Sequence, residues 1–276
     1  MVLIPKKVCE LTDILDNVLI NDKPRPYLGL SSIGGPCRRS LYYSFHWAHH
    51  DSISQRLQRI FSTGHFMEDF MIASLKNTGY IVSREQEEII GAFGHVKGHI
   101  DGTVKGIPGY EDEELLVEFK TMNDANFKKL KREGVRMSKP VHYSQMQMYM
   151  SGLELKRALY FAYNKNDSHY YTEIVELDKH FVAEKERSIF NLFTDELIPE
   201  RIGGGVSTWH ECRFCNFKSI CHNGAPIARN CRTCVHHSIE DDGRWSCALS
   251  GQDINVEEQR KGCKDWEIEP TLNGET

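Results

Sequence analysis

Hydrophobic and polar positions along the chain follow two rhythms, one of three to four residues and one of two. Between positions 54 and 77 the apolar residues Leu57, Ile60, Phe61, Met67, Phe70, Met71 and Leu75 recur at steps of three and four. This predicts an amphipathic helix, or two in series broken near Gly64, with Ser54 as N-cap and Gly79 as the stop. Short β-type runs follow at 80–84, 88–93, 96–104 and 115–120, separated by Gly-rich or acidic turns, which fits a meander of antiparallel strands. Helical spacing returns over 124–137 and 143–153, and β-type runs at 158–163 and 170–176. Asp178 is then placed to cap a helix running to Pro199. The fold class is α/β, a central mixed sheet flanked by helices. The first 50 residues, punctuated by Pro24, Pro26, Gly29, Gly34, Gly35 and Pro36, read as a poor place for a continuous core element. After Gly203 the periodicity fades and cysteines take over.

Composition narrows the function classes. The 276 residues are 40% hydrophobic, and the longest fully apolar stretch, near 159–163, falls far short of the roughly 20 residues a spanning helix needs. The N-terminus lacks the charged-then-apolar-then-small order of a secretory signal, so the expected location is cytoplasmic, with no membrane partner. A net charge of −5 argues, taken alone, against a nucleic-acid binder. Of nine cysteines, Cys212, Cys215, Cys221, Cys231, Cys234, Cys247 and Cys263 fall in the last quarter, and Cys9 and Cys37 lie near the start. In a reducing compartment such clustering points to metal ligation before disulfides.

The candidate chemistry lies in the β-rich stretch. Side chains alternate along a strand, so Glu118 and Lys120 share one face while Val117 and Phe119 turn the other way into apolar packing. If the preceding strand is the hairpin partner, Asp101 lies at its end, close enough to Glu118 for the two carboxylates to hold a divalent cation. Such an ion polarises a phosphoryl oxygen and acidifies bound water, and a neighbouring lysine positions or deprotonates that water. An isolated Glu-x-Lys is ordinarily a surface pair, and the acidic run at 111–114 reads as a solvated turn.

In this order the residues resemble the RecB-like branch of the PD-(D/E)xK nuclease superfamily. That family's pattern is an Asp after a Gly-rich strand, an (E/D)-x-K on the next strand, and a helix carrying Q-x-x-x-Y. The chain supplies Asp101, then Glu118 and Lys120, then Gln145 and Tyr149. An earlier family motif, a glycine followed four residues later by His or Glu, is matched by Gly64 and Glu68. His65 is one step, about 100°, off that helix face and ranks below Glu68 as a ligand. The resemblance implies that Glu68, Asp101 and Glu118 bind Mg2+ or Mn2+, that Lys120 activates or orients water, and that Gln145 and Tyr149 hold substrate. The basic stretch of Lys128, Lys129, Lys131, Arg132, Arg136 and Lys139 is either a solvated face or a track for DNA phosphates.

The cysteines divide into two sets. Cys212, Cys215 and Cys221 form a compact group that lacks a local fourth ligand, for which Cys37 is the natural distant candidate. The alternative is zinc on these three with His210 or His222, leaving Cys37 a buried thiol. RecB-like iron–sulfur nucleases, including AddB and the CRISPR-adaptation nucleases, carry one cysteine before the core and three after it. That resemblance implies a [4Fe–4S] cluster on Cys37, Cys212, Cys215 and Cys221, a staple around the nuclease core. Cys231, Cys234, Cys247 and Cys263 have spacings that suit tetrahedral Zn2+ in a small ribbon, with Trp245 and Trp266 shielding the metal and Cys9 left an ordinary thiol. The expected organisation is a nuclease domain over 1–225 and a four-cysteine module over 226–276. The expected function is a metal-dependent DNA exonuclease of recombination, repair or phage DNA processing, acting on DNA with a free end. An endonuclease of the same superfamily and a catalytically silent DNA-binding or scaffold protein are the alternatives.

Overall fold

The local rhythms become elements close to where the pattern puts them. The structure, a computed structural model, describes residues 10–20, 23–50, 53–194 and 197–273, and Cys9 lies outside them. The N-terminal part holds α1 (Leu11–Asn17), β1 (Leu19–Ile20), β2 (Leu28–Gly29), α2 (Arg38–Phe45) and β3 (Ile53–Ser54). Next come α3 (Gln55–Asn77), β4 (Ile81–Ser83), β5 (Glu88–Gly91), β6 (Val96–His99), β7 (Gly102–Lys105) and β8 (Leu115–Met122). Helices α4 (Asp124–Ser138) and α5 (Pro140–Gly152) lead to β9 (Arg157–Asn164), β10 (Tyr170–Glu176) and α6 (Lys179–Thr194). The cysteine-rich part adds α7 (Lys218–His222), β11 (His237–Ile239), β12 (Trp245–Cys247), β13 (Gln252–Asp253), α8 (Val256–Lys261) and α9 (Pro270–Asn273).

Caps form where the sequence offers them. Ser54 accepts from the Leu57 N–H at 3.2 Å, and α3 runs unbroken through Gly64. Asp178 accepts from the Phe181 N–H at 3.0 Å, and α6 runs to Thr194, short of Pro199. Helix α4 kinks at Gly134, where φ is +69°, and Glu173 takes the Val135 N–H beyond the kink at 2.9 Å.

The central sheet has the order β10-β9-β8-β7-β4. Strand β8 pairs antiparallel with β7 and parallel with β9, and α4 with α5 makes the crossover that a parallel pair requires. Val117 and Phe119 join Met71, Ile72 and Leu75 of α3 in one core. Leu116 and Met122 join Phe127 and Leu130 of α4 and Met146 of α5 in the other. Glu118 and Lys120 therefore project from the α5 side of a sheet whose two faces are both covered.

Two expectations are corrected. The run 96–104 is not one strand of an antiparallel meander: β6 pairs with β5 and with β2, whereas β7 pairs with β8 and β4, so the chain changes sheets at Ile100 and Asp101. The apolar pattern continues across the switch because Ile100 is buried too, so periodicity alone does not mark it. Nor is the first 50-residue stretch poor in core. Helix α2 buries Leu41, Tyr42, Tyr43 and Phe45, and Leu28, Leu30 and Ile33 are buried with them. Their partners are distant in sequence.

Part of that partner is the C-terminal segment. Arg232, only 1% exposed, lies between Cys231 and Cys234 and donates to the carbonyls of Phe45 at 3.0 Å and Pro26 at 2.7 Å and to Gln259 Oε1 at 2.8 Å. Its guanidinium sits 3.8 Å from the Trp47 ring centroid and 4.5 Å from that of Trp245. Trp245 packs on Phe45 with ring centroids 4.9 Å apart, in the same core as α2. Its expected role as a metal shield is corrected, because its large apolar area is spent on that core. Among the described residues no helix is long and apolar enough to cross a membrane.

Candidate functional site

Three elements converge on Glu118. Strand β8 supplies Glu118 and Lys120, the switch between β6 and β7 supplies Asp101, and α3 supplies Glu68. Glu118 is fully buried and ion-paired with Lys120, yet neither of its oxygens accepts a hydrogen bond of ordinary geometry. Asp101 Oδ2 accepts from the Phe119 N–H at 2.7 Å, which fastens the sheet switch to β8 beside Glu118. Glu68 Oε1 accepts from the Gln86 side chain at 2.7 Å. Gln86, at φ +57° in the turn between β4 and β5, escaped sequence reasoning because nothing in a turn's composition names its long-range partner.

The charges are coupled. Burial, with Asp101 and Glu68 adding to it and Lys120 opposing it, pushes the Glu118 carboxyl up to about 8. Burial and then Asp101 raise Glu68 to about 7. Burial likewise raises Asp101, against the pull of Lys120, the Phe119 N–H and His65. Burial would lower Lys120, but Glu118 and Asp101 outweigh it and hold the ammonium charged. Several carboxyls compete for too few positive charges, with little water to separate them.

Helix α5 closes the site from the other side. Tyr149 donates to the His99 carbonyl at 2.9 Å, one residue before the sheet switch, and Gln145 hydrogen-bonds Tyr149. The approach depends on Gly98, where an added Cβ would stand 2.5 Å from the Tyr149 hydroxyl. Tyr149 thus steadies the segment bearing Asp101. His142, three residues before Gln145 on the same face of α5, bonds the Tyr160 hydroxyl through Nδ1 at 2.8 Å. Sequence reasoning missed both, although the spacing 142, 145, 149 was available. The basic stretch of α4 is largely compensated: Lys128 pairs with Asp124 at 2.8 Å, Lys129 and Arg132 pair with Glu133, and Arg136 pairs with Asp178 at 3.2 Å.

Among the described residues no three His, Cys, Asp or Glu side chains are drawn together closely enough to hold a metal ion as they stand. At the acidic site Lys120, Gln86 and the Phe119 amide occupy the carboxylates. The donor set nevertheless suits a hard divalent cation, for Glu118 presents two buried oxygens, Oε1 against the Lys120 ammonium and Oε2 with no hydrogen-bond donor among the described residues.

None of the eight described cysteines forms a disulfide. Cys37, Cys212, Cys215 and Cys221 line one narrow pocket, with His222 beside them. Burial and then neighbouring cysteines raise the Cys212 and Cys215 thiols. Four soft donors suit zinc or an iron–sulfur centre. His210 instead pairs with Glu211 at 2.6 Å, and Phe214 is 91% exposed. Cys231, Cys234, Cys247 and Cys263 line a wider cavity of about 770 Å3 with His236, His237 and Trp266. Burial, then Cys263, Cys234 and Cys247, push Cys231 up to about 11. Burial also acts to raise Cys247, but N–H groups of Ser250 and Leu249 and the Ser250 hydroxyl donate to its sulfur and lower it. Backbone donors aimed at a sulfur favour a thiolate, the form that binds metal.

No protein-family model matches the chain, and no curated protein sequence is similar to it. Its backbone is similar to that of an alkaline exonuclease from Laribacter hongkongensis, with 20% identity over 61% of this chain and 87% of the other and a TM-score of 0.46. The complex of that exonuclease with dAMP gives 18% identity, 60% and 86% coverage, and a TM-score of 0.44. A phage-related exonuclease from Haemophilus somnus gives 13%, 60% and 91%, and 0.42. Likenesses at this level leave fold and chemistry alike to be argued from the chain's own residues.

Proposed function

We propose that the chain is a divalent-metal-dependent deoxyribonuclease that acts as an exonuclease on DNA with a free end. The observation that carries this reading is Glu118, a fully buried carboxylate paired with the Lys120 ammonium alone through Oε1 and with no hydrogen-bond donor on Oε2 among the described residues, within the field of Asp101 and Glu68. Such an arrangement is costly unless a cation completes it. Glu68, Asp101 and Glu118 would hold Mg2+ or Mn2+, which supplies Lewis acidity toward a phosphodiester. Lys120 orients water, and Gln145 and Tyr149 hold the segment carrying Asp101 and face the substrate. Digestion of end-labelled single and double strands with Mg2+ or Mn2+ tests this: wild type releases nucleotides and Asp101→Ala does not. Equal hydrolysis by the two proteins would sink the assignment, and cutting of closed circular DNA would replace exonuclease by endonuclease.

Cys37, Cys212, Cys215 and Cys221 are read as the ligands of a [4Fe–4S] staple for the catalytic domain, 1–225. Zinc on Cys212, Cys215 and Cys221 with His222, which lines the same pocket, is the second reading. Iron and sulfide in anaerobically purified protein support the first, and zinc without sulfide the second. Cys231, Cys234, Cys247 and Cys263 are read as a Zn2+ site in the module 226–276, supported by the donors around Cys247. The setting is DNA recombination, repair or phage DNA processing in the cytoplasm.

A further inference from the structure

We propose that Tyr160 and His142 form a hydrogen-bonded rail that orients Lys120, with His142 fixing the direction of the Tyr160 proton. Tyr160 stands opposite Glu118 in the parallel register of β8 and β9, so its ring lies on the face that carries Glu118 and Lys120. The ring is fully buried, and its hydroxyl lies within the field of both Lys120 and Glu118. Its hydroxyl is 2.8 Å from His142 Nδ1, and the two rings stack with centroids 5.9 Å apart and planes 27° from parallel. His142 projects from the first turn of α5, on the face that also bears Gln145 and Tyr149.

Donor and acceptor counting gives the pair its function. A phenol has one proton and spare lone pairs, and an ammonium has three protons and no acceptor. If the phenol proton goes to His142 Nδ1, the oxygen shows Lys120 only lone pairs, and the ammonium is attracted. If His142 instead carried its proton on Nδ1, the phenol proton would turn toward the ammonium and repel it. Burial, then Lys120 and Lys139, lower His142 to about 3, so the imidazole stays neutral and keeps an acceptor nitrogen. The rail matters most when a cation claims the oxygens of Glu118, because Lys120 then loses the partner it has now. That step rests on reading Glu118 as a cation ligand. His142 and Tyr160 are positioning residues, since they act through Lys120.

The first test needs no catalysis. In 15N-histidine-labelled protein without divalent cation, long-range proton–nitrogen correlation should show His142 protonated on Nε2 and bare on Nδ1. Tyr160→Phe should move the Nδ1 resonance toward that of a free imidazole nitrogen. A proton on Nδ1, or a resonance indifferent to Tyr160→Phe, overturns the rail. The second test uses the Mg2+-loaded protein. Tyr160→Phe and His142→Leu should each lower kcat about tenfold with KM little changed, and the double variant should be no worse than either single one. His142→Gln, whose amide oxygen accepts from the phenol, should recover most of the loss, while melting curves report folding separately. Additive losses, or a Gln variant no better than Leu, overturn the proposal. If wild type and Asp101→Ala are equally inert on DNA, the nuclease reading fails, and the nitrogen spectra still decide the rail.

Discussion

Glu118→Gln keeps the shape of a fully buried side chain and removes its charge. Burial, reinforced by Asp101 and Glu68 against Lys120, raises the Glu118 carboxyl from 4.5 to about 8. The folded protein therefore keeps a proton that the unfolded chain has already lost. The stability this confers is complete below the unfolded value and disappears as pH rises through about 8. Each unit of separation corresponds to about 1.4 kcal/mol. Discounted for the coupling to Lys120, the loss between about pH 5 and about pH 8.5 is on the order of 3 kcal/mol. The Gln variant has no such proton, so the two proteins should melt together near pH 5. The variant should melt higher by roughly 6–12 °C near pH 8.5. Thermal unfolding in buffer free of divalent cations measures this. Adding Mg2+ at the upper pH should raise the wild-type midpoint, because the ion replaces the proton, and leave the variant unmoved. Parallel curves for the two proteins across the whole range would refute the reasoning.

Three further outcomes are expected. Arg232→Ala strands the carbonyls of Phe45 and Pro26 and empties the space between Trp47 and Trp245, so urea unfolding should show a loss of about 3–5 kcal/mol; a loss below about 1 kcal/mol contradicts the role given to this arginine. Gly98→Ala puts a methyl group 2.5 Å from the Tyr149 hydroxyl and should lower melting point and nuclease rate together, whereas an unchanged melting point would show that Tyr149 is not held there. Cys37→Ala should reduce the metal bound per chain in anaerobic metal analysis; full occupancy in the variant excludes Cys37 as a ligand.

Several features were legible in the residues alone because they are local. The alternation in β8 placed Glu118 and Lys120 on one face and Val117 and Phe119 on the other, since a strand turns each side chain half a revolution from the last. Ser54 and Asp178 capped their helices, since a cap needs only its own next turn. Cys231, Cys234, Cys247 and Cys263 line one pocket and Cys37, Cys212, Cys215 and Cys221 another, although their spacing alone did not name a ligand set. What stayed hidden depends on residues distant in the chain. The run 96–104 gave no sign of changing sheets, because its apolar pattern serves two sheets equally well. Helix α2 was concealed among prolines and glycines because the groups that bury it, Arg232 and Trp245, come nearly 200 residues later. Gln86 and the Tyr160–His142 pair are ordinary polar residues until a strand register and a helix face bring them to Glu68 and Glu118. By itself, then, the sequence determined the helices and strands whose pattern is local, such as α3, β8 and α6, and the kinds of donor atoms, because each depends on near neighbours. Only the tertiary structure decided which carboxylates share a dry space, since burial and pairing of charge depend on packing across the whole chain.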